Sequence, residues 1–286
     1  MQHDTREKFR HSVSMVSWAY NEEELIEEFL YKAEKLLDSV AIDYEVVLID
    51  DGSTDKTYEL AVEFQKKNPR LKIFRNERNL NIGYSSSRGV KEATKEFLFW
   101  QTVDWSYDIS DLRNNLELLK KYDVVQGVRK NPLVFKGKFL RPLRIVMKLF
   151  GITHLTKRSD TVPKAIISVT NYLLVRFLFR VPLADFQNVT IYPTKWIQSI
   201  KYEADSAFFN PEGLIKSYWS GMSIVEVPID FIPRKKGIPK GTTPRALFNA
   251  VRDIFTLYFK WILLGKRGEI IKGKIVRYKA SLPTYF

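Results

Sequence analysis

The stretch Glu45-Val46-Val47-Leu48-Ile49-Asp50-Asp51-Gly52-Ser53-Thr54-Asp55 carries the strongest indication of the fold. Its first half is a short apolar run, which predicts a buried β-strand. Its second half combines glycine, serine and acidic residues, which is typical of the turn that follows a strand. In open parallel sheets, ligands bind outside the carboxyl ends of the strands, so the carboxylates at this strand end predict a polar site.

The first 130 residues alternate between strand and helix patterns. We predict strands over 12–18, 45–49, 71–75, 97–101 and 122–127, and helices over about 22–39, 85–95 and 111–120, with a further helix ending near 67. Asn21, with Glu24 three residues later, predicts the N-terminal cap of the first helix. The alternation favours a parallel α/β sheet with helices on its faces.

Composition excludes several classes of chemistry. The chain of 286 residues has no cysteine, which excludes disulfides, thiolate nucleophiles and zinc held by cysteine. Its three histidines form no metal-binding pair in the sequence. No window reaches the roughly 18 uninterrupted apolar residues of a membrane-spanning helix, so we expect none.

The net charge of +13 is unevenly distributed. Residues 131–184 contain ten Lys or Arg and one acid, and residues 233–286 contain thirteen and two, so the rest is acidic on balance. Both basic segments contain apolar stretches of helical periodicity, at 141–150, 163–181 and 245–264. Core helices would also give that periodicity, but flanking basic residues favour a surface facing lipid phosphates. We predict peripheral membrane attachment through 137–182 and 244–264.

Acidic residues follow three of the predicted strands. Glu22 comes after the first strand, Asp50 and Asp51 end the second, and Asp104 follows the fourth. Such carboxylates hydrogen-bond ribose hydroxyls or a base edge and hold a divalent cation that bridges a diphosphate. Nucleic-acid binding would explain the basic charge but not this acidic edge, so we predict no nucleic-acid partner.

Three segments, read together, resemble family 2 glycosyltransferases with the GT-A fold. They are 18–23 (WAYNEE), 48–55 (LIDDGSTD) and 81–89 (NIGYSSSRG), and the resemblance resumes at 183–188, 209–212 and 227–240. Within that family the chain most resembles the dolichyl- or polyprenyl-phosphate mannosyl- and glucosyltransferases. The resemblance implies a Rossmann-like, mostly parallel sheet flanked by helices, with basic amphipathic helices added in the C-terminal half.

The resemblance also divides the chain. Residues 1–130 would form the nucleotide-sugar half of the GT-A domain, 131–243 the acceptor half with an amphipathic insertion, and 244–286 an extension at the membrane surface. Binding of the nucleotide-sugar donor is implied for Ala19, Tyr20, Glu22, Asp50, Asp51, Gly83, Val103 and Lys240. Gly83 would permit close backbone approach within a loop over 81–88.

The family's metal motif, Asp-x-Asp, is altered here to Thr102-Val103-Asp104. The resemblance implies that Asp104 binds Mg²⁺ or Mn²⁺, with Thr102 as a weaker oxygen ligand or acting through water. The substitution predicts lower metal affinity or an altered sugar pocket.

On the acceptor side, the resemblance implies that Arg129 and Arg234 bind an acceptor phosphate, with Arg158 or Lys164 as a second such cation. An ionised phosphate needs little general base, but it needs cations that align it with the leaving diphosphate. Asp185 would orient the sugar, or act as base for a hydroxyl acceptor. Glu212 is a further candidate to face the sugar.

The leading hypothesis is an inverting enzyme that moves a hexose from a UDP- or GDP-sugar to polyprenyl phosphate. Its catalytic residues would be Asp104, Asp185, Arg129 and Arg234. Two alternatives are a family 2 enzyme that glycosylates a glycan or protein hydroxyl, and a nucleotide-sugar-binding protein with impaired turnover. We expect a cytoplasmic protein attached peripherally to the inner face of the membrane. A homo-oligomer and a small membrane protein partner are both left open.

Overall fold

The computed structural model describes residues 8–129, 162–232, 234, 236 and 243–278. The strands are β1 (Val13–Ala19), β2 (Tyr44–Asp50), β3 (Leu71–Arg75), β4 (Phe97–Trp100), β5 (Val124–Arg129), β6 (Thr190–Pro193), β7 (Ser223–Ile229) and β8 (Lys274–Arg277). The helices are α1 (Ile26–Val40), α2 (Thr57–Lys67), α3 (Asn81–Glu92), α4 (Leu112–Glu117), α5 (Val162–Phe179), α6 (Thr194–Ser199), α7 (Phe209–Trp219) and α8 (Pro244–Tyr258). A 3₁₀ turn (Leu118–Lys120) follows α4, and a π-helical turn (Phe259–Leu263) continues α8.

The strands form one sheet in the order β3-β2-β1-β4-β6-β5-β7-β8. All neighbouring pairs are parallel except those of β6, which runs antiparallel to β4 and β5. This arrangement confirms the predicted mostly parallel α/β sheet. Because Ala19 pairs with Asp50, and Asp50 with Arg75, the first three strands end level with one another.

Apolar side chains cover both faces of the sheet. All seven residues of β2 are buried, as expected for a central strand between two helical layers. One face packs against α1, whose buried residues recur at helical spacing. The other face lies in a second core, to which α8 contributes Ile254 and Leu257.

The structure corrects two predictions about helix starts. Helix α1 begins at Ile26, and Leu25 rather than Asn21 precedes it without a side-chain cap. Asn21 instead adopts a left-handed backbone (φ 51°), and its Oδ1 accepts a hydrogen bond from the Thr54 amide at 2.8 Å. The segment predicted as a loop over 81–88 is the first part of α3, which begins at Asn81 rather than near 85.

Two further predictions concern the basic segments. The amphipathic stretch at 141–150 lies outside the described residues. The other two stretches are helical, as α5 and as α8 with its π-helical turn. Within the described ranges, the structure contains no helix with the length and apolarity required to cross a bilayer.

Candidate active site

The loops after β1 and β2 are joined into one wall by hydrogen bonds. The backbone amide of Asn21 donates to Ser53 Oγ at 3.0 Å, and that of Glu22 donates to Thr57 Oγ1 at 2.7 Å. Tyr20, also predicted to bind the donor, is half-buried at the start of the first loop. These bonds hold the segment Tyr20-Asn21-Glu22 against the acidic turn that follows β2.

Asp50 and Asp51, the predicted base or ribose ligands, are both buried. Asp50 pairs with Arg75 at 3.1 Å. Burial raises the pKa of Asp50, and the hydrogen bonds from Ser53 and the charge of Arg75 offset that effect only in part. Asp51 Oδ1 accepts bonds from Asn76 and from the Leu80 amide, at 2.7 and 2.9 Å. Asp51 Oδ2 has no hydrogen-bond donor within the described part of the chain, so it retains capacity for a ligand hydroxyl.

Arg75 and Asn76 were missed in the sequence analysis. Arg75 ends β3, and Asn76 Nδ2 donates to both Asp51 and Ser85 Oγ, the second at 2.9 Å. Arg88 in turn donates to Asn76 Oδ1 at 2.6 Å. The sequence could have indicated both residues, because they lie at the end of a predicted strand, as the acidic residues do.

Asp104 lies in the turn after β4, with its side chain 16% exposed. Its Oδ1 accepts hydrogen bonds from the amide and hydroxyl of Ser106, at 3.2 and 2.6 Å. Thr102 Oγ1 also accepts from the Ser106 amide, at 3.2 Å. Ser106 thus holds both predicted metal ligands in one turn. Val103, between them, is 6% exposed, and its side chain packs in the core, which leaves only its backbone for a ligand.

Arg234 joins two of the acidic strand ends. Its guanidinium contacts Glu22 through Nη2, and its Nη1 lies 3.6 Å from Asp104 Oδ2. It is brought there by the chain after β7, where the Ile232 amide donates to the Ser106 carbonyl at 2.8 Å. The side chain is only 15% exposed. A predicted acceptor cation and two predicted donor-side acids therefore meet in one place.

Arg129 and Asp185 form a second pair, at the end of β5. Arg129 Nε and Nη2 donate to the two oxygens of Asp185, both at 2.7 Å. Burial raises the pKa of Asp185, but the charge and hydrogen bonds of Arg129 outweigh it and leave that pKa lowered. Burial lowers the pKa of Arg129, but Asp185 outweighs it and leaves that pKa raised. Both side chains are therefore charged at neutral pH.

Other predicted residues lie away from this edge or beyond the described ranges. Glu212 does not face a sugar pocket, because it is buried and accepts bonds from the amides of Glu203 and Ala204. Gly83 approaches the backbone of Asp205, where an added Cβ would lie 2.3 Å from a carbonyl carbon. Lys240, Arg158 and the side chain of Lys164 lie outside the described residues.

Metal binding at this edge would rest on Asp104. The described residues contain no cluster of three or more acidic or histidine side chains that could hold an ion by themselves. Mg²⁺, however, is commonly held by one or two carboxylates together with substrate phosphates and water. A partly exposed Asp104 at a strand end fits that single-carboxylate pattern.

Comparison with known sequences identifies relatives. The model of glycosyl transferase family 2 matches residues 14–181. A dolichol-phosphate mannosyltransferase from Pyrococcus furiosus is 26% identical over 274 residues, covering 92% of this chain and 68% of the relative. Glycosyltransferase AglD of Haloferax volcanii is 24% identical over 229 residues, covering 78% of this chain and 33% of its own length. The chain thus spans about a third of AglD.

Solved structures share the fold at low identity. Glucosyl-3-phosphoglycerate synthase from Mycobacterium tuberculosis, solved with Mn²⁺, UDP and glucosyl-3-phosphoglycerate, has a TM-score of 0.57 and 14% identity and covers 91% of this chain and 81% of that one. S. aureus TarS, solved with UDP-GlcNAc, has a TM-score of 0.53 and 17% identity. The match covers 87% of this chain and 66% of TarS. At these identities the likeness concerns the fold alone.

Proposed function

The chain belongs to glycosyl transferase family 2 and is a glycosyltransferase, and on that premise we propose that it transfers a hexose from a UDP- or GDP-sugar to polyprenyl phosphate, inverting the anomeric carbon. The observation that carries the proposal is the position of Arg234, whose guanidinium lies between Glu22 and Asp104. A phosphate acceptor and a diphosphate leaving group both need a cation at their meeting point.

The donor would lie along the ends of β1, β2 and β4. Asp51, with one carboxylate oxygen committed to Asn76 and Leu80, is suited to accept a bond from a ribose hydroxyl. Asp50 would act mainly by holding the turn and Arg75 in place, because it is fully buried. UDP in the solved structures of fold neighbours supports a nucleotide donor without selecting between UDP and GDP.

A divalent cation, Mg²⁺ or Mn²⁺, would be held by Asp104, with Thr102 acting through its hydroxyl or a water molecule. When bound, it would neutralise charge on the leaving diphosphate. Mn²⁺ in the solved synthase from Mycobacterium tuberculosis supports the use of a divalent cation. Ser106 keeps the Asp104 carboxylate oriented through its amide and hydroxyl.

In the reaction, an oxygen of the acceptor phosphate attacks the anomeric carbon opposite the nucleotide. The bond from that carbon to the diphosphate breaks, and the nucleoside diphosphate leaves with the electron pair. No proton has to be removed, because the acceptor phosphate is already ionised. Arg234 would align the acceptor oxygen, a task to which the planar guanidinium is suited.

The geometry supports a phosphate acceptor over a hydroxyl acceptor. A hydroxyl would require a base, and Asp185 was the sequence candidate. Both Asp185 oxygens accept hydrogen bonds from Arg129, and the pKa of Asp185 is lowered after Arg129 outweighs burial, which makes it a weak base. Asp185 and Arg129 are better suited to position the acceptor side of the site.

We place the enzyme at the inner face of a membrane, attached peripherally, where a lipid acceptor is present. Its dolichol-phosphate mannosyltransferase relative supports this location. The test is transfer from a panel of radiolabelled UDP- and GDP-sugars into an organic-extractable product, with and without polyprenyl phosphate. One donor is expected to give a lipid-linked product that depends on the added lipid and on Mg²⁺ or Mn²⁺.

Two outcomes would contradict the proposal. Transfer only to a soluble glycan would move the function to the hydroxyl acceptor. Tight donor binding without transfer or hydrolysis would indicate a nucleotide-sugar-binding protein without turnover. An Asp104→Asn variant, which keeps the size of the side chain, is the matched control for background transfer.

A further inference from the structure

An exposed apolar stripe runs along α8 and the π-helical turn that continues it. The stripe consists of Phe248, Val251, Phe255, Phe259 and Leu263, which are 68%, 42%, 49%, 54% and 61% exposed. Their spacing of three or four residues places them on one helical face. Contiguous apolar surface of this kind marks an interaction site in a folded protein.

The stripe is not the outer side of a loosely attached helix. The opposite face of the same element buries Ala250, Ile254, Leu257 and Trp261. The ring of Trp261 also lies 5.6 Å from that of Phe179 on α5. The helix is thus fixed to the protein by one face while it presents large aromatic side chains on the other.

The same helix is tied to the donor half of the molecule. Asp253 on α8 accepts hydrogen bonds from the amides of Asp205 and Ser206, at 3.1 and 3.0 Å. The backbone of Asp205 packs against Gly83 in the first turn of α3, the helix that follows the donor-side loops. Whatever the stripe binds therefore sets the orientation of the catalytic body.

Basic side chains border the stripe. Arg245 and Arg252 are exposed and seven residues apart, so they share one side of the helix, and Arg252 also contacts Asp253 at 2.8 Å. Lys266 and Arg267 are exposed just beyond the last residue of the stripe. The one acid between residues 243 and 268, Asp253, is buried. An apolar strip with a cationic border is complementary to an anionic lipid surface.

We propose that the α8 stripe inserts into the headgroup boundary of an anionic leaflet and that Arg245, Arg252, Lys266 and Arg267 bind its phosphates. Such docking would bring the active site to a lipid acceptor. The inference rests on the proposed function in one respect, namely that the acceptor is a lipid. A second copy of the chain fits the α8 stripe less well than an anionic lipid surface does. A two-fold contact through this face would bring the same basic border of each copy together.

The first test is sedimentation of the full chain with vesicles of phosphatidylcholine alone or mixed with phosphatidylglycerol. The wild type should bind the mixed vesicles, and added salt should weaken that binding. Phe255→Ser combined with Phe259→Ser should reduce the bound fraction at least about tenfold, since two exposed aromatic side chains that would insert into the leaflet are removed. Tyr31→Ser combined with Ile42→Ser is the matched control, because those side chains are 61% and 56% exposed elsewhere.

A second measurement uses single cysteine variants, so it does not require the double serine variant to fold. The chain has no cysteine, so one introduced cysteine can carry an environment-sensitive fluorophore. A label on Phe259→Cys should shift to shorter wavelength when mixed vesicles are added, whereas a label on Ile42→Cys should not. Equal shifts at both positions, or none at Phe259→Cys, would overturn the proposal.

Two further readouts separate this proposal from others. Transfer to a short, water-soluble polyprenyl phosphate should be unchanged in the stripe variant, because the stripe is not part of the catalytic site. If the wild type binds vesicles through the stripe but transfers no sugar, docking stands and the proposed function fails. If the wild type is a dimer that the stripe variant converts to a monomer, without vesicle binding in either, the stripe is an interface between copies.

Discussion

The pair formed by Arg129 and Asp185 is almost excluded from water, with side chains 9% and 4% exposed. A buried pair contributes little to stability as a whole, but removal of one partner leaves an uncompensated charge. At the scale of single residues, this pair holds the end of β5 to the segment after α5.

We expect Asp185→Asn to lower the free energy of unfolding by about 3–5 kcal/mol, because Arg129 would remain buried without its counter-charge. Urea denaturation at neutral pH would measure this. Asp43→Asn, which breaks the exposed ion pair with Lys95, is the control and should change stability by less than about 1 kcal/mol. An Asp185→Asn variant as stable as that control would contradict the role assigned to the pair.

The same pair predicts a pH dependence. The pKa of Asp185 is lowered in the folded protein, because Arg129 outweighs burial, relative to an ordinary value of 3.8. Its contribution to stability is therefore present above the ordinary value and is lost as pH falls through the lowered folded value. The stability difference between wild type and Asp185→Asn should shrink below about pH 4. A difference that stays constant into that range would show that Asp185 does not titrate as assigned.

Thr102 gives a prediction about metal use. Thr102→Asp would place a second carboxylate two residues before Asp104, in the turn that Ser106 holds. Because ligand charge tunes affinity for hard cations, the Mn²⁺ concentration for half-maximal transfer should fall about tenfold. Thr102→Asn, which adds the amide but no charge, should leave it near the wild-type value. A metal titration in which both variants behave alike would argue against Thr102 facing the ion.

At the scale of elements, the contact between α3 and the segment before α7 joins the proposed donor half to the rest of the chain. Gly83 allows it, since no side chain separates the helix from the backbone of Asp205. The glycine that the sequence analysis assigned to the donor is thus required by packing between two segments.

Gly83→Ala should lower the free energy of unfolding by about 1–3 kcal/mol, because its Cβ would lie 2.3 and 2.6 Å from the carbonyl carbon and oxygen of Asp205. Urea denaturation would measure the loss. Ser87→Ala in the same helix is the control and should stay near wild type. A Gly83→Ala midpoint equal to that of the wild type would contradict a packing role for this glycine.

At the scale of the whole molecule, Arg234 connects the chain after β7 with the ends of β1 and β4. It contacts Glu22 across a sequence separation of 212 residues. Two acids proposed to face the donor and a cation proposed to face the acceptor neutralise each other in this arrangement. A metal ion bound at Asp104 would therefore compete with Arg234 for the same carboxylate.

Arg234→Gln should change two measured quantities in opposite directions. Affinity of the free protein for Mn²⁺ should rise, since Asp104 loses a neighbouring positive charge, while transfer to polyprenyl phosphate should fall by about 10²–10³-fold. Calorimetry and the extraction assay would measure the two. Lys236→Gln removes an exposed charge two residues away and is the control. Weaker Mn²⁺ binding together with unchanged transfer would show that Arg234 is not part of the active site.

Sequence alone determined the parallel sheet and its acidic edge. The apolar runs that became β1 to β5 are long enough to show buried strands, and residues that follow parallel strands on one sheet must lie at the same edge. For the same reason Glu22, Asp50 and Asp104 were placed correctly relative to the sheet. Strands β6, β7 and β8 were not predicted, because they lie after residue 130, where basic amphipathic stretches interrupt the alternation of strand and helix patterns that indicated β1 to β5.

Tertiary structure alone decided what those residues contact. Asparagine is a common helix-capping residue, but the side chain of Asn21 accepts a hydrogen bond from the Thr54 amide of the neighbouring loop and does not cap α1. Arg129 and Asp185 are 56 residues apart, and Arg234 and Glu22 are 212 apart. Contacts at such separations depend on the strand order of the sheet and on which charges share a site shielded from water. Local patterns of sequence carry neither kind of information.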